Sequence, residues 1–146
     1  MGIKINEVYP QSSNKPITIP KSFKNQFVAR VIGNILGDGC IDKTFTIRYS
    51  NTRKELLNYF DFCMKKVFGK SCFNNNVKNN KAGWEYRYSN VCGKLLISHF
   101  GQFAYRKSEG KNEKFIPRDI FEWSEDSRWC VIAALIDDEG SVDIEE

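Results

Sequence analysis

The fold turns on two stretches, "VIGNILGDG" (Val31 to Gly39) and "IAALIDDEG" (Ile132 to Gly140). Each closes a run of apolar and small residues with acid and then glycine. The C-terminus of an α-helix carries about half a negative charge, so carboxylates there are repelled unless a cation offsets them. A surface helix normally places Lys or Arg in that turn. Here Asp38 precedes Gly39, and Asp137, Asp138 and Glu139 precede Gly140. A single acid before a glycine is most often a solvated turn. The same unfavourable ending repeated 101 positions apart, Asp38 against Glu139, points to a shared purpose.

Working outward from the first stretch, Phe27, Val28, Val31, Ile32, Ile35 and Leu36 recur at helical spacing, with Ser22 as the expected N-cap. Gly33 and Gly37 lie four apart on one face. Glycine costs about 1 kcal/mol against alanine inside a helix, so a close backbone approach is expected there. The second stretch supplies a partner, with Ala133 and Ala134 as its small residues and Ser124 as the N-cap of its helix. Gly33, Gly37, Ala133 and Ala134 are thus the expected helix-interface residues.

Between the two lie alternating and amphipathic segments. In "KTFTIRYS", Phe45, Ile47 and Tyr49 alternate with Thr44, Thr46, Arg48 and Ser50. Thr52 and Glu55 read as a capping box for a helix over 53–68, striped by Leu56, Leu57, Phe60, Met64 and Val67 and closed by Gly69. Strands are expected at 71–78 and 83–89 around the turn "NNNVKNNKAG". A short helix follows at 92–100, with His99 as a partly buried packing residue, and then the basic loop "YRKSEGKNEK". The Pro-punctuated residues 1–21 read as an extended lead-in. The order α-β-β-α-β-β-α, followed by a second helix like the first, predicts an α+β fold. Its antiparallel four-stranded sheet has one apolar and one polar-basic face and is backed by helices.

The totals narrow the function. With 146 residues, 41% of them hydrophobic, the chain has material for a single core. "WCVIAALI" is too short to cross a membrane, no signal peptide is evident, and Asn6 stands where a myristoylation motif needs Ser or Thr. A soluble, cytoplasmic protein is expected, nucleoid-associated in a prokaryote or else organellar. Five cysteines without a CxxC pair argue against a zinc finger or a disulfide framework, and the lone His99 removes most histidine-based mechanisms. Net charge is +4, but residues 1–118 hold 21 Lys and Arg against 8 acids, whereas residues 119–146 hold Arg128 against 10 acids. A body at +13 attracts polyanions, of which nucleic acid is the commonest.

The paired motifs, with "ITIP" before the first, "KFIPRDI" before the second and "EGSV" after it, resemble the LAGLIDADG homing endonuclease family from about Ile17 to Val142. The resemblance implies αββαββα units, half-saddles related by a pseudo-twofold axis through the packed motif helices. Residues 22–118 would form the first unit and residues 119–146 the second motif helix only. It also implies a metal-dependent, site-specific DNA endonuclease of free-standing or intron-encoded type. Asp38 and Glu139 would be the catalytic and metal-binding acids, holding Mg²⁺ or Mn²⁺, and one of Lys107, Lys111 and Lys114 would be a near-site lysine. On duplex DNA, Lys43, Thr44, Thr46, Arg48, Ser50, Arg87 and Ser89 would lie in the major groove, with Asn74, Asn75, Asn76, Lys78 and Lys81 adding contacts. The same polar strands would otherwise be a solvated sheet face.

The sequence departs from the family pattern in three ways. Asn34 is polar inside the first motif helix, Asp138 occupies a small-residue place, and Glu139 replaces Asp. Asp137 and Asp138 are expected to face solvent or cap the site, and Asp138 to loosen the helix packing. Only one ββαββ set separates the motifs, so the reading is an N-terminal fragment, poorly active alone, for which self-association through the motif helices is one route to a saddle. The alternative is a nuclease-inactive nucleic-acid-binding module, maturase-like on RNA or regulator-like on DNA.

Overall fold

The computed structural model describes residues 7–8, 16–79, 83–104, 106–108, 111–112 and 114–139, and of these the side chains of 7–8, 74–79, 106–108 and 111–112 are outside the description. The chain order is β1 (Glu7–Val8), β2 (Ile17–Thr18), α1 (Gln26–Gly37), β3 (Gly39–Ile41), β4 (Ile47–Asn51), α2 (Lys54–Phe68), β5 (Asn74–Asn79), β6 (Gly83–Tyr88), α3 (Asn90–Phe100), β7 (Arg106–Ser108), β8 (Lys111–Asn112), a 3-10 turn (Arg118–Glu122) and α4 (Glu125–Glu139).

The fold is α+β. Four strands form one antiparallel sheet in the order β3-β4-β6-β5, while β1 pairs with β2 and β7 with β8. Within the main sheet, Ile47, Tyr49, Tyr86 and Tyr88 turn inward and are buried, and Arg48, Ser50 and Arg87 turn outward. Against the inner face pack α1, through Val28, Val31, Ile32 and Ile35, and α2, through Leu57, Phe60, Met64 and Phe68. The stacked pair Tyr49–Phe60, with ring centroids 4.4 Å apart, joins sheet to helix at the centre of this core.

Several local expectations change. The N-cap of α1 is Asn25, whose Oδ1 accepts from the Val28 amide at 2.9 Å, while Ser22 Oγ accepts from the Lys24 amide one turn earlier. The Thr52–Glu55 capping box does not form. Arg53 holds the cap position of α2, Glu55 pairs with Arg53 at 2.9 Å, and Asn51 Oδ1 takes the Arg53 amide. The strand expected from Lys43 begins only at Ile47, because Asp42 Oδ1 gathers the Thr44 amide, the Thr44 hydroxyl and the Thr46 amide into a turn, with Phe45 at φ 67°. The basic loop contains the short pair β7–β8. His99 is exposed, although its ring stacks on Phe23 at 4.6 Å.

Candidate active site

α1 and α4 form the most extensive pair of packed elements, and glycine sets their separation. A β-carbon built on Gly33 would stand 2.6 Å from Ala134 Cβ and 2.8 Å from the Val131 carbonyl oxygen. One on Gly37 would stand 2.7 Å from Asp138 Cβ. Both contacts join positions 101 apart, 33 with 134 and 37 with 138. That is the same offset at which the two sequence motifs align. Contacts between equivalent positions are what a twofold relation between the helices produces. Ala133, expected at the interface, is instead exposed, since it sits about 100° around the helix from Ala134.

The helix ends meet as acids. Asp38 caps α1 and Glu139 is the last residue of α4, with no basic residue in the last turn of either helix. Asn51 Nδ2 donates to Asp38 Oδ2 at 2.9 Å, which fixes the carboxylate at the end of β4. Although Asp38 remains open to solvent, desolvation, then Asp138 and Glu139, push its pKa up to about 6, with Lys114 opposing. Lys114 Nζ donates to the Gly37 carbonyl oxygen at 3.0 Å, on the last turn of α1. Although Lys114 is exposed as a residue, desolvation holds its pKa below the usual lysine range, against the pull of Cys40 and the three acids. Of the three lysines considered from sequence, Lys114 is therefore the one whose side chain is placed at the site. Lys107 and Lys111 lie on β7 and β8 with side chains outside the described residues.

Asp138 corrects an expectation. It neither faces solvent nor loosens the packing, but is tied into the seam. Asn34 Nδ2 donates to its Oδ2 at 3.0 Å and the Tyr49 hydroxyl donates to its Oδ1 at 2.5 Å. Burial raises the Asp138 pKa while these two bonds oppose the rise. The Tyr49 phenol is in turn driven above its ordinary range, by burial first and then by this bond. Asp137 pairs with Arg30 at 2.5 Å, and Arg30 Nε donates to Asn34 Oδ1 at 3.2 Å. Arg30 also stands 5.0 Å from the ring centroid of Tyr59. The polar Asn34, odd in an apolar helix, thus joins α1 to Asp138 directly and, through Arg30, to Asp137. Nothing in the periodicity marks Arg30, Asn51 or the Tyr49 hydroxyl as site residues. All three lie on faces that read as core or turn.

The expected nucleic-acid face is brought together in part. Arg48 and Arg87 face each other across β4 and β6 as direct Cα partners, and Ser50 lies opposite Glu85. Glu85, which sequence reading passed over, is buried and binds Arg48, Arg87 and Ser50. Thr44 and Thr46 belong to the Asp42 turn, beside exposed Lys43, and not to the alternating strand. Ser89 caps α3 by accepting from the Val91 amide at 3.3 Å, so its hydroxyl serves the helix. Asn74, Asn75, Asn76 and Lys78 lie on β5, with side chains outside the described residues, as is Lys81 entirely.

Asp38 and Glu139 offer hard oxygen donors, the type Mg²⁺ prefers, and Mg²⁺ is commonly held by one or two carboxylates with water and phosphate completing the shell. The negative charge of Asp138 and Glu139, which adds to desolvation in raising the Asp38 pKa, is what a cation would offset, so the residues fit such an ion. Among the described residues no group of three or more His, Cys, Asp or Glu converges as a ready-made metal cage. Cys63, Cys72, Cys92 and Cys130 are free thiols. No described helix is long and apolar enough to cross a membrane. No family model matches the chain, and no curated protein matches it in sequence.

Proposed function

We propose that the chain is a metal-dependent DNA endonuclease of the LAGLIDADG homing type. The observation that supports this most is the meeting of two acid-bearing helix ends across a glycine seam with matched offsets, Gly33 against Ala134 and Gly37 against Asp138. The outward polar face of β4 reaches Asp38 at Ser50, whose amide donates to the Asp38 carbonyl oxygen at 3.4 Å, while Asn51 on the inward side of the strand holds the Asp38 carboxylate. A duplex lying along that face would therefore pass its backbone beside the acids.

Mg²⁺ or Mn²⁺ held by Asp38 and Glu139 would activate water and stabilise the departing oxygen. Asn51 would orient Asp38, and Lys114, anchored on the Gly37 carbonyl, would bring positive charge to the scissile phosphate. The net step is hydrolysis: a water oxygen bonds to phosphorus, the bond to the 3′ oxygen breaks, and that oxygen takes up a proton. Among the described residues only one main sheet accompanies the two helix ends, so the chain acting alone should bind duplex DNA weakly and cleave it slowly.

One observation favours a second reading, a DNA- or RNA-binding module without cleavage. Arg48 and Arg87 on the outer sheet face are held by Glu85 with no contact to the acids, and binding without cleavage requires no more than that face. Calorimetry separates the two. Mg²⁺ or Mn²⁺ would be titrated into the protein with and without duplex DNA, for the native chain and for Asp38→Asn with Glu139→Gln. Metal binding that needs DNA and vanishes in the double variant supports the nuclease. Unchanged DNA binding with no metal heat in either protein supports the binding module.

A further inference from the structure

On the outer sheet face, Arg48 and Arg87 are directly opposed across β4 and β6, an arrangement that by itself is repulsive. Glu85 resolves it from beneath. Arg48 donates to Glu85 through Nε at 3.1 Å and Nη2 at 3.2 Å, and Arg87 donates through Nε at 2.6 Å. The carboxylate side chain is 3% exposed, while the two arginines are 24% and 34% exposed. Glu85 therefore lies under both guanidinium groups and is screened by them from any approaching anion.

Stability alone does not explain such a cluster. Taking a carboxylate out of water costs several kcal/mol, and a buried ion pair often does no better than apolar side chains of the same volume. What the cluster does is fix two otherwise mobile side chains. Because Glu85 takes Nε of both arginines and one Nη2 proton of Arg48, the donors left for a ligand are those of the Nη1–Nη2 edge. Among the described residues, Nη1 of neither arginine has a partner. That edge matches the O6 and N7 acceptors of guanine in the major groove, the commonest specific arginine contact with DNA.

We propose that Arg48 and Arg87, held by Glu85, form a guanine-reading pair, with Glu85 as the positioning residue that sets its specificity. The inference rests on the DNA-binding reading and deepens it. Adjacent strands stand about 4.8 Å apart, between one and two base steps of about 3.4 Å. The target should therefore contain two guanines at neighbouring or alternate positions.

The test is selection from a randomised duplex library at low salt, with the native chain, Glu85→Gln and Arg48→Lys, alongside thermal melting of each. The expected result is a guanine pair in the native selection. Its preference should relax about 10-fold or more in Glu85→Gln, while total affinity for random duplex is kept or rises, since an acid has been removed. Arg48→Lys keeps the charge but loses the fork, and should relax one of the two positions only. It also carries the test if Glu85→Gln fails to fold. A guanine preference that survives in every folded variant, or duplex binding with no guanine preference, overturns the pair but leaves DNA binding standing. No duplex binding by the native chain overturns both.

Discussion

Gly33 lies so close beneath Ala134 that a single added β-carbon would sit 2.6 Å from the Ala134 Cβ, inside any real contact distance. The neighbouring obstacle at 2.8 Å is the Val131 carbonyl oxygen, which is backbone and cannot swing away. Gly37 is as crowded, but there the obstacle is the side chain of Asp138. The two glycines therefore resist substitution for different reasons. Gly33→Ala should destabilise the protein by about 1–3 kcal/mol, the range for overpacking, despite alanine's better helix propensity. Gly37→Ala should cost a similar amount, since the Asp138 Cβ at 2.7 Å cannot rotate away and displacing α4 there strains the Asp138 hydrogen bonds. Urea unfolding of both variants checks this, and a loss below about 0.5 kcal/mol at either glycine would contradict this account of the seam.

Asp38 makes the site sensitive to acid in a defined direction. Its pKa is about 6 in the folded chain against the ordinary carboxylate value of 3.8. Between these values the folded state holds the proton that the unfolded state has released, so this group's contribution to stability falls as pH rises from about 4 to about 6. Solvent access to Asp38 moderates the size of the effect. Divalent cation should show the opposite trend, with affinity climbing through pH 6 and levelling above it, because the cation competes with that proton. Unfolding and metal titrations from pH 4.5 to 8 check both slopes. In Asp38→Asn, the part of the stability slope due to this group should disappear.

The Tyr49–Asp138 bond is a buried link to a charged acceptor. Hydrogen bonds of that kind contribute about 1.5–3 kcal/mol. Tyr49→Phe should cost about that much, and Asp138→Asn a comparable amount. The double variant should cost less than the sum, because each single change already breaks the shared bond. A double-mutant cycle by chemical denaturation reads the coupling. Additive effects would mean that the two groups do not share a bond in solution.

α4 is apolar on two sides. Val131 and Ala134 are buried against α1, whereas Trp129 (58% exposed), Ile132 and Ile136 face outward. At the same 101-residue offset, these three correspond to Val28, Val31 and Ile35, all fully buried in the core. Replacing Trp129, Ile132 and Ile136 with Lys or Gln should leave stability within about 0.5 kcal/mol, as for surface changes generally. The same replacements should sharply reduce binding of a hydrophobic dye such as ANS. A stability loss above 2 kcal/mol would show that this face is covered in solution.

Periodicity and punctuation made much of the architecture legible. The Leu56–Val67 stripe, the Gly69 stop and the Gly33/Gly37 seam all follow from residue spacing, because burial and close approach leave regular marks. What stayed hidden is what depends on a single side chain turning toward a neighbour distant in sequence. Asp42 halting the strand at Ile47, Asn25 displacing Ser22 at the cap, and Asp138 bending into the seam are choices among equally polar residues. Their outcome is decided by partners the local pattern does not contain. Glu85 is the plainest case: a polar residue alternating on a strand reads as solvated, and only the opposed arginines make it a buried hub.

The seam between α1 and α4 also has a kinetic meaning. Bringing Gly33 to Ala134 closes a loop of 101 residues, a contact between the early and late parts of the chain. Such contacts form only after their closure entropy has been met, and they slow folding. The sheet, α2 and α3 lie wholly inside that loop. They can assemble before α4 docks, and α4 can lift away while they persist. Hydrogen exchange should then find α4 opening at lower free energy than β4 or α2. The two carboxylates would exist as a pair only in molecules that have completed this last step.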